Sequence, residues 1–257
     1  HRDLHSFPTR RSSDLANLDA LGRLVRASDA DVGIAHDGDA DRAVFYDEHG
    51  EPIDGSASFA ALAAAELEAG DTVVSAVNVS QRLVDVCETA NADLDLTPIG
   101  STRIMTRIGQ LEAEGERVPI AGEGNGGVIF PEYRISRDGA YIGARFLELL
   151  ADGTAASDVV APYDDYANVR VNVAYDDEAE REALLAAAEA YADAATADDG
   201  ADLTTIDGHR LDYGDAWVLA RPSGTEPVVR VYAEARTEAR ASELADDLAA
   251  ALRAAIE

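Results

Sequence analysis

Between residues 32 and 151, short apolar runs alternate with longer stretches in which apolar positions recur at helical spacing. Val32-Gly33-Ile34-Ala35 and Ala43-Val44-Phe45-Tyr46 flank an acidic loop and predict two strands. Ser58 to Ala69, rich in alanine and leucine, predicts a helix that stops at Gly70-Asp71. The pattern then predicts a strand over Thr72–Val77, a helix over Gln81–Ala90, a strand over Leu94–Ile99 and a helix over Thr102–Gly115. Strands over Val118–Ala121 and Val128–Phe130 bracket a glycine-rich turn, and a helix follows over Tyr141–Ala151. Strands and helices of this length in alternation imply an α/β layer sandwich.

The pattern changes after residue 151. Asp152 through Asp165 is polar and turn-rich and reads as a linker. Beyond it, Asn168-Val169-Arg170-Val171-Asn172-Val173 alternates as a half-buried strand should. A long helix over Asp177–Ala195, strands over Trp217–Ala220 and Val228–Ala235, and an amphipathic helix over Thr237–Ile256 complete the chain. That order predicts a small α+β domain with an antiparallel sheet and two helices.

Composition sharpens this picture in one respect. Apolar residues make up 47% of the chain, which is enough for real cores and too much for a disordered tail. The longest apolar stretches, such as Phe59 to Ala65, are too short to cross a bilayer, so the expected location is the cytoplasm. There are 50 acidic residues against 21 basic ones, a formal net charge of −29, and lysine is absent. A field of that sign repels phosphate backbones and anionic membranes, which argues against nucleic-acid and membrane partners. Acidity together with loss of lysine points to a salt-rich cell interior, where counterions screen the self-repulsion, the alternative being an ordinary acidic protein from a GC-rich genome. The single cysteine, Cys87, falls within helical spacing and reads as a core filler in a reducing compartment.

Three loops carry candidate chemistry. In His36-Asp37-Gly38-Asp39-Ala40-Asp41-Arg42, three carboxylates at alternate positions with small residues between them can converge on one hard cation. Three like charges held together are costly unless a cation binds. An EF-hand reading fails, because Arg42 stands where its glycine belongs and the flanks read as strands. In Gly122-Glu123-Gly124-Asn125-Gly126-Gly127, glycines allow close backbone approach while Glu123 and Asn125 suit vicinal hydroxyls. A tight hairpin without a ligand would have the same composition. In Arg221-Pro222-Ser223-Gly224-Thr225-Glu226-Pro227, followed by Arg230, hydroxyls, backbone amides and two arginines suit a phosphate dianion.

In this order and spacing the three loops resemble the α-D-phosphohexomutase superfamily, which includes phosphoglucomutases, phosphomannomutases and phosphoglucosamine mutases. HDGDADR resembles its metal loop, GEGNGG its sugar loop and RPSGTEPVVRVYAEA its phosphate-binding loop. RDGAYIGARFLELLA resembles the helix that follows the sugar loop. The resemblance implies the end of one α/β domain over residues 16–50, a complete α/β/α domain over 51–161 and the α+β domain over 162–257. It implies Mg²⁺ held by Asp37, Asp39 and Asp41, with Arg42 stabilising charge near a transferring phosphoryl group. Glu123, Asn125 and Gly127 would line the sugar. Arg221, Ser223, Gly224, Thr225 and Arg230 would hold the non-reacting phosphate, and Ser101, Thr102 and Arg103 would form a further substrate loop.

The implied reaction interconverts hexose 1- and 6-phosphates through a phosphoserine and a hexose 1,6-bisphosphate. The loop that carries the phosphoserine in the family resembles T-A-S-H-N-P, and no such string occurs in this sequence. The expectation is therefore a portion of a longer mutase, inactive alone. Many bacterial members have a histidine where this chain has Gly127, so the resemblance leaves glucose, mannose and glucosamine phosphates open. Two other classes remain, a sugar-phosphate-binding module and a divalent-ion-binding protein with no sugar role. Residues His1 to Leu15 break the compositional trend, with three arginines and two histidines against two acids, and read as a non-native segment. The start of the described domain, up to about Glu51, is expected to be weakly anchored.

Overall fold

The structure is a computed structural model and describes residues 15–198 and 200–257. All but the last residue of the segment set aside above, His1 to Leu15, lies outside the described residues. In chain order the elements are α1 (Leu15–Ser28), β1 (Gly33–His36), β2 (Ala43–Tyr46), β3 (Pro52–Ile53), α2 (Gly55–Glu66), β4 (Thr72–Ala76) and α3 (Gln81–Ala90). There follow β5 (Asp93–Thr97), α4 (Ser101–Glu114), β6 (Ala121–Gly122), β7 (Val128–Ile129), α5 (Gly139–Leu149) and α6 (Ala156–Val160), with a 3₁₀ turn over Ala161–Tyr163. The last are β8 (Ala167–Ala174), α7 (Glu178–Asp198), β9 (Asp202–Thr204), β10 (His209–Asp212), β11 (Ala216–Pro222), β12 (Val228–Ala235) and α8 (Glu238–Ala254). The class is mixed α/β, as the alternating pattern predicts. Among the described residues no helix is long and apolar enough to cross a membrane.

The chain divides into two compact units, one of the residues up to Val74 with Val86–Asp95 and Ile104–Asp164, the other of Ser75–Asp85, Leu96–Arg103 and Asp165–Glu257. In the first, β1, β2 and β3 form an antiparallel sheet in that order. The segment before Glu51 is tied in at several points. Val25 of α1 is buried, Arg26 donates to the carbonyls of His49 (3.1 Å) and Gly50 (2.9 Å), and Phe45 stacks on Phe146 with ring centroids 4.1 Å apart. A four-stranded sheet has the order β5-β4-β6-β7. On α4, Ile104, Ile108 and Leu111 are buried at helical spacing, the apolar stripe that predicts this helix.

In the second unit five antiparallel strands run β8-β12-β11-β10-β9. Along β8 the residues from Asn168 to Ala174 alternate between exposed and more buried positions. Val218, Val229 and Val231 from the sheet meet Leu184 of α7 and Leu244, Leu248 and Leu252 of α8 in one core. This is the α+β domain that the pattern predicts.

Four differences from the pattern have physical causes. Helix α2 starts at Gly55, ahead of the predicted Ser58, because the Asp54 carboxylate caps it by accepting from the amides of Ser56 (2.8 Å) and Ala57 (3.3 Å). Strand β6 is confined to Ala121–Gly122, because pairing with β7 begins only where the glycine hairpin closes. The stretch read as a linker folds into α6 and a 3₁₀ turn, where Glu48 accepts from the hydroxyl and amide of Ser157. Strands β3, β9 and β10 are too short for periodicity to show, and α1 has no counterpart in the pattern although Leu18, Leu21, Leu24 and Val25 recur at helical spacing.

Candidate functional site

The acidic loop lies between β1 and β2, an antiparallel pair whose register brings His36 opposite Ala43. The Ala40 amide donates to the Asp37 carbonyl (3.1 Å), and Ala40 itself sits at φ 56°, so the chain reverses within the loop. As a result Asp37, Asp39 and Asp41 each offer a carboxylate oxygen within 4.8 Å of the others. A second contact holds the loop from outside. The Gly139 amide donates to the Ala40 carbonyl (3.0 Å), and a Cβ at Gly139 would come within 2.5 Å of the Arg42 carbonyl oxygen and 2.6 Å of His36 Nδ1. Only glycine fits there.

Two arginines face these carboxylates. Arg42 donates from Nε to Asp37 Oδ2 (2.6 Å) and from its amide to Asp37 Oδ1 (3.2 Å), and it lies 3.6 Å from Asp41. Partial burial works to raise the Asp37 carboxyl, but the hydrogen bonds and charge of Arg42 outweigh it and hold the group below the usual carboxylate range. Arg137 pairs with Asp41 on the other side.

The glycine loop belongs to the same unit. The amide of Ala43, first residue of β2, donates to the Gly126 carbonyl (2.9 Å), so the strand that ends the acidic loop is hydrogen-bonded to the sugar-type loop. The N-terminus of α2 also touches it, with room only because residue 55 is glycine: a Cβ there would meet the Gly124 carbonyl oxygen at 2.6 Å. Within the loop, Asn125 Oδ1 accepts from the Gly127 amide (3.1 Å) while its Nδ2 donates to Glu123 Oε2 (3.3 Å). Arg137 also approaches Glu123, at 3.7 Å. It is thus shared between the two loops.

In the second unit the hairpin between β11 and β12 carries the third loop. Ser223 Oγ accepts from the amides of Thr225 (3.4 Å) and Glu226 (3.3 Å), and the Ser223 amide donates to the Val228 carbonyl (2.9 Å). The strand register places Arg221 directly opposite Arg230. Like charges opposed across a ladder destabilise it unless anions intervene. Here Glu226 pairs with Arg230 and Asp207 lies 3.1 Å from Arg221 Nε. Asp207 also accepts from the Ile99 amide (3.0 Å), just ahead of Gly100 and of Ser101, Thr102 and Arg103, where α4 begins. One carboxylate therefore joins the candidate substrate loop to the arginine of the phosphate-type loop.

The sequence reading passed over Arg137 and Asp207. Arg137 falls inside RDGAYIGARFLELLA, which reads as a helix and its approach, and nothing in the spacing marks its first residue as chemical. Asp207 sits in Ile206-Asp207-Gly208, whose Asp-Gly pair signals only a turn. Cys87 is buried as expected, and burial pushes its thiol up to about 11.

Comparison with known proteins gives the family. Family models for phosphoglucomutase/phosphomannomutase match α/β/α domain II over residues 1–50, α/β/α domain III over 54–166 and the C-terminal domain over 169–251. A phosphoglucomutase/phosphomannomutase of Thermococcus kodakarensis is 36% identical over 95% of this chain and 52% of its own length. A protein of Methanopyrus kandleri named "Probable phosphoglucosamine mutase" is 35% identical over the whole chain and 55% of its own length. The chain spans about half the length of these curated relatives. A crystal structure of a phosphoglucomutase/phosphomannomutase family protein from Burkholderia thailandensis superposes with a TM-score of 0.80 at 28% identity, covering 95% of this chain and 51% of that one. Aspergillus fumigatus N-acetylphosphoglucosamine mutase, solved in complex with GlcNAc-6P and magnesium, shares the fold at a TM-score of 0.61 and 20% identity, over 85% of this chain and 51% of that one. Three consecutive domain models, matched in order along nearly all of the sequence, establish that this chain belongs to the phosphoglucomutase/phosphomannomutase family of the α-D-phosphohexomutase superfamily.

Proposed function

We propose that this chain supplies the metal, sugar and phosphate loops of a phosphohexomutase that interconverts hexose 1-phosphate and hexose 6-phosphate. The observation that carries the reading is the linkage within the first unit: Arg137 pairs with Asp41 and approaches Glu123, while Ala43 bonds to Gly126. A three-carboxylate cluster and a hydroxyl-binding loop are thereby held side by side, as phosphoryl transfer to a sugar requires.

The donor set suits Mg²⁺, since three carboxylate oxygens within 4.8 Å of one another are hard ligands in number and kind. Asp37, Asp39 and Asp41 would hold the ion, which when bound offsets negative charge on a phosphoryl group. Arg42, already oriented by Asp37, adds a fixed positive charge beside them. Glu123 and Asn125 orient the sugar through its hydroxyls. Arg221, Ser223, Gly224, Thr225 and Arg230 hold the phosphate that is not being transferred, and Ser101, Thr102 and Arg103 form a further substrate-facing loop.

The nucleophile in this reading is a phosphoserine outside these 257 residues, and the reaction passes through a hexose 1,6-bisphosphate. Alone, the chain binds sugar phosphate and turns nothing over. The salt-rich interior proposed from the acid excess sets the buffer for any test. In high salt with Mg²⁺, titration with glucose, mannose and glucosamine 1-phosphates should give saturable heat and no 6-phosphate. Asp39→Asn should weaken Mg²⁺ binding by about tenfold or more. Turnover by the chain alone would remove the external nucleophile from the proposal, and metal binding indifferent to Asp39→Asn would remove the metal loop.

A further inference from the structure

Arg137 reaches both chemical loops of the first unit. One side of its guanidinium pairs with Asp41 and another nitrogen lies 3.7 Å from Glu123 Oε2. Its stem is also committed. A Cβ on Gly127 would come within 2.6 Å of Arg137 Cδ and 3.1 Å of its Nη1, so the arginine fills the room that a side chain at 127 would take. The side chain is only 20% exposed, which limits how far water can screen these pairs.

Asp41 therefore has two claimants. It is one of the three carboxylates that converge within 4.8 Å, and it is the carboxylate that Arg137 holds. An oxygen engaged by a guanidinium is a poorer ligand, so a divalent ion and Arg137 compete for Asp41. When the ion wins, Arg137 keeps Glu123 and regains donors that point between the two loops. A planar fork of N–H groups there suits an anionic phosphate oxygen.

We propose that Arg137 is a displaceable counter-cation that couples divalent-ion binding to sugar-phosphate binding. It neutralises Asp41 until a divalent ion takes that carboxylate, and its guanidinium then binds a phosphate oxygen of the sugar phosphate. The inference rests on the reading of the acidic loop as a metal site given above.

The test uses the full chain at one fixed salt concentration, with Mn²⁺ counted by electron paramagnetic resonance and glucose 1-phosphate by calorimetry. Arg137→Gln should bind Mn²⁺ about threefold to tenfold more tightly than the parent, because the competitor is gone. An arginine that merely braced the loop would have the opposite effect. Arg137→Lys, which keeps the charge, should stay near the parent. Gly127→Ala pushes the stem aside with its charge intact and should also tighten Mn²⁺ binding, which covers the case in which Arg137→Gln does not fold. Saturating Mn²⁺ should tighten glucose 1-phosphate binding in the parent by about threefold to tenfold and leave Arg137→Gln unmoved. If Mn²⁺ binding depends on Asp39 but is unchanged or weaker in Arg137→Gln and Gly127→Ala, the coupling is wrong and the metal site stands. A parent chain that binds no Mn²⁺, or binds it regardless of Asp39→Asn, overturns both.

Discussion

Two sets of ion pairs in this protein use the same chemistry to opposite ends. At the acidic loop, Arg42 and Arg137 face Asp37 and Asp41 with arginine side chains that are 32% and 20% exposed, respectively. In the second unit, Glu234 is fully buried and accepts from the Gln81 amide (2.5 Å), the Trp217 indole (3.2 Å) and Arg82 (3.3 Å). Arg82 also donates to the Tyr166 carbonyl (2.5 Å), and Arg210 donates to the carbonyls of Val77 (2.7 Å) and Val79 (3.1 Å) beneath the Trp217 ring, 4.4 Å from its centroid. Burial pushes the Arg210 guanidinium downward, against the pull of Asp212. The three donors to Glu234 all belong to buried residues, and water cannot replace one. At the acidic loop, water or a metal can. If the acidic-loop pairs exchange as proposed, accessibility, and not the identity of the partners, separates them from the pairs that hold the fold.

The largest effect should come from breaking the buried set. Glu234→Ala removes a buried charge partner of Arg82 and the acceptor of the Gln81 amide and the Trp217 indole, and should cost about 3–5 kcal/mol of unfolding free energy. Trp217, the only tryptophan in the chain, reports it directly by fluorescence in a denaturant titration. Glu234→Gln keeps an acceptor for Gln81 and Trp217 and should lose less; equal losses would mean that charge is irrelevant there. Next comes the phosphate-type loop. Arg221→Ala should weaken glucose 6-phosphate binding by about tenfold to a hundredfold, the worth of a hydrogen bond to a charged group. Asp207→Asn should weaken it by less, about threefold to fivefold, because it only loosens the arginine. An Asp207 variant as damaging as Arg221→Ala would make Asp207 a ligand in its own right.

The smallest effect is the pH dependence of the exchangeable set. The Asp37 carboxyl is depressed in the folded chain, so its contribution to stability is present above the ordinary value of 3.8 and is lost as pH falls through the lower folded value. Arg42→Ala should abolish that depression, moving the Asp37 titration upward by NMR and removing only its small contribution to stability at neutral pH. A large loss of stability at neutral pH would place Arg42 with the buried set and erase the contrast.

Much of this was legible in the order of residues. Periodicity predicts both long helices of the C-terminal domain and the alternation along β8, because each buries one continuous face. The acidic, glycine-rich and arginine-serine loops are local strings, and their chemistry follows from residue types within a few positions of one another. Charge alone argues against nucleic-acid partners. What the order of residues does not contain is pairing across distance. Arg137 reaches Asp41 and Glu123 only because Gly139 lets α5 approach the acidic loop. Asp207 meets Ile99 and Arg221 only because β10 and β11 bring a turn beside the start of α4. Glu234 lies in a strand pattern that gives no hint of the two arginines and the tryptophan around it. Local sequence specifies which groups can bind a cation, a hydroxyl or a phosphate, since those are properties of side chains and short turns. Tertiary structure decides which of those groups are held, shared or sealed from water, since each outcome depends on chain segments that meet only after folding.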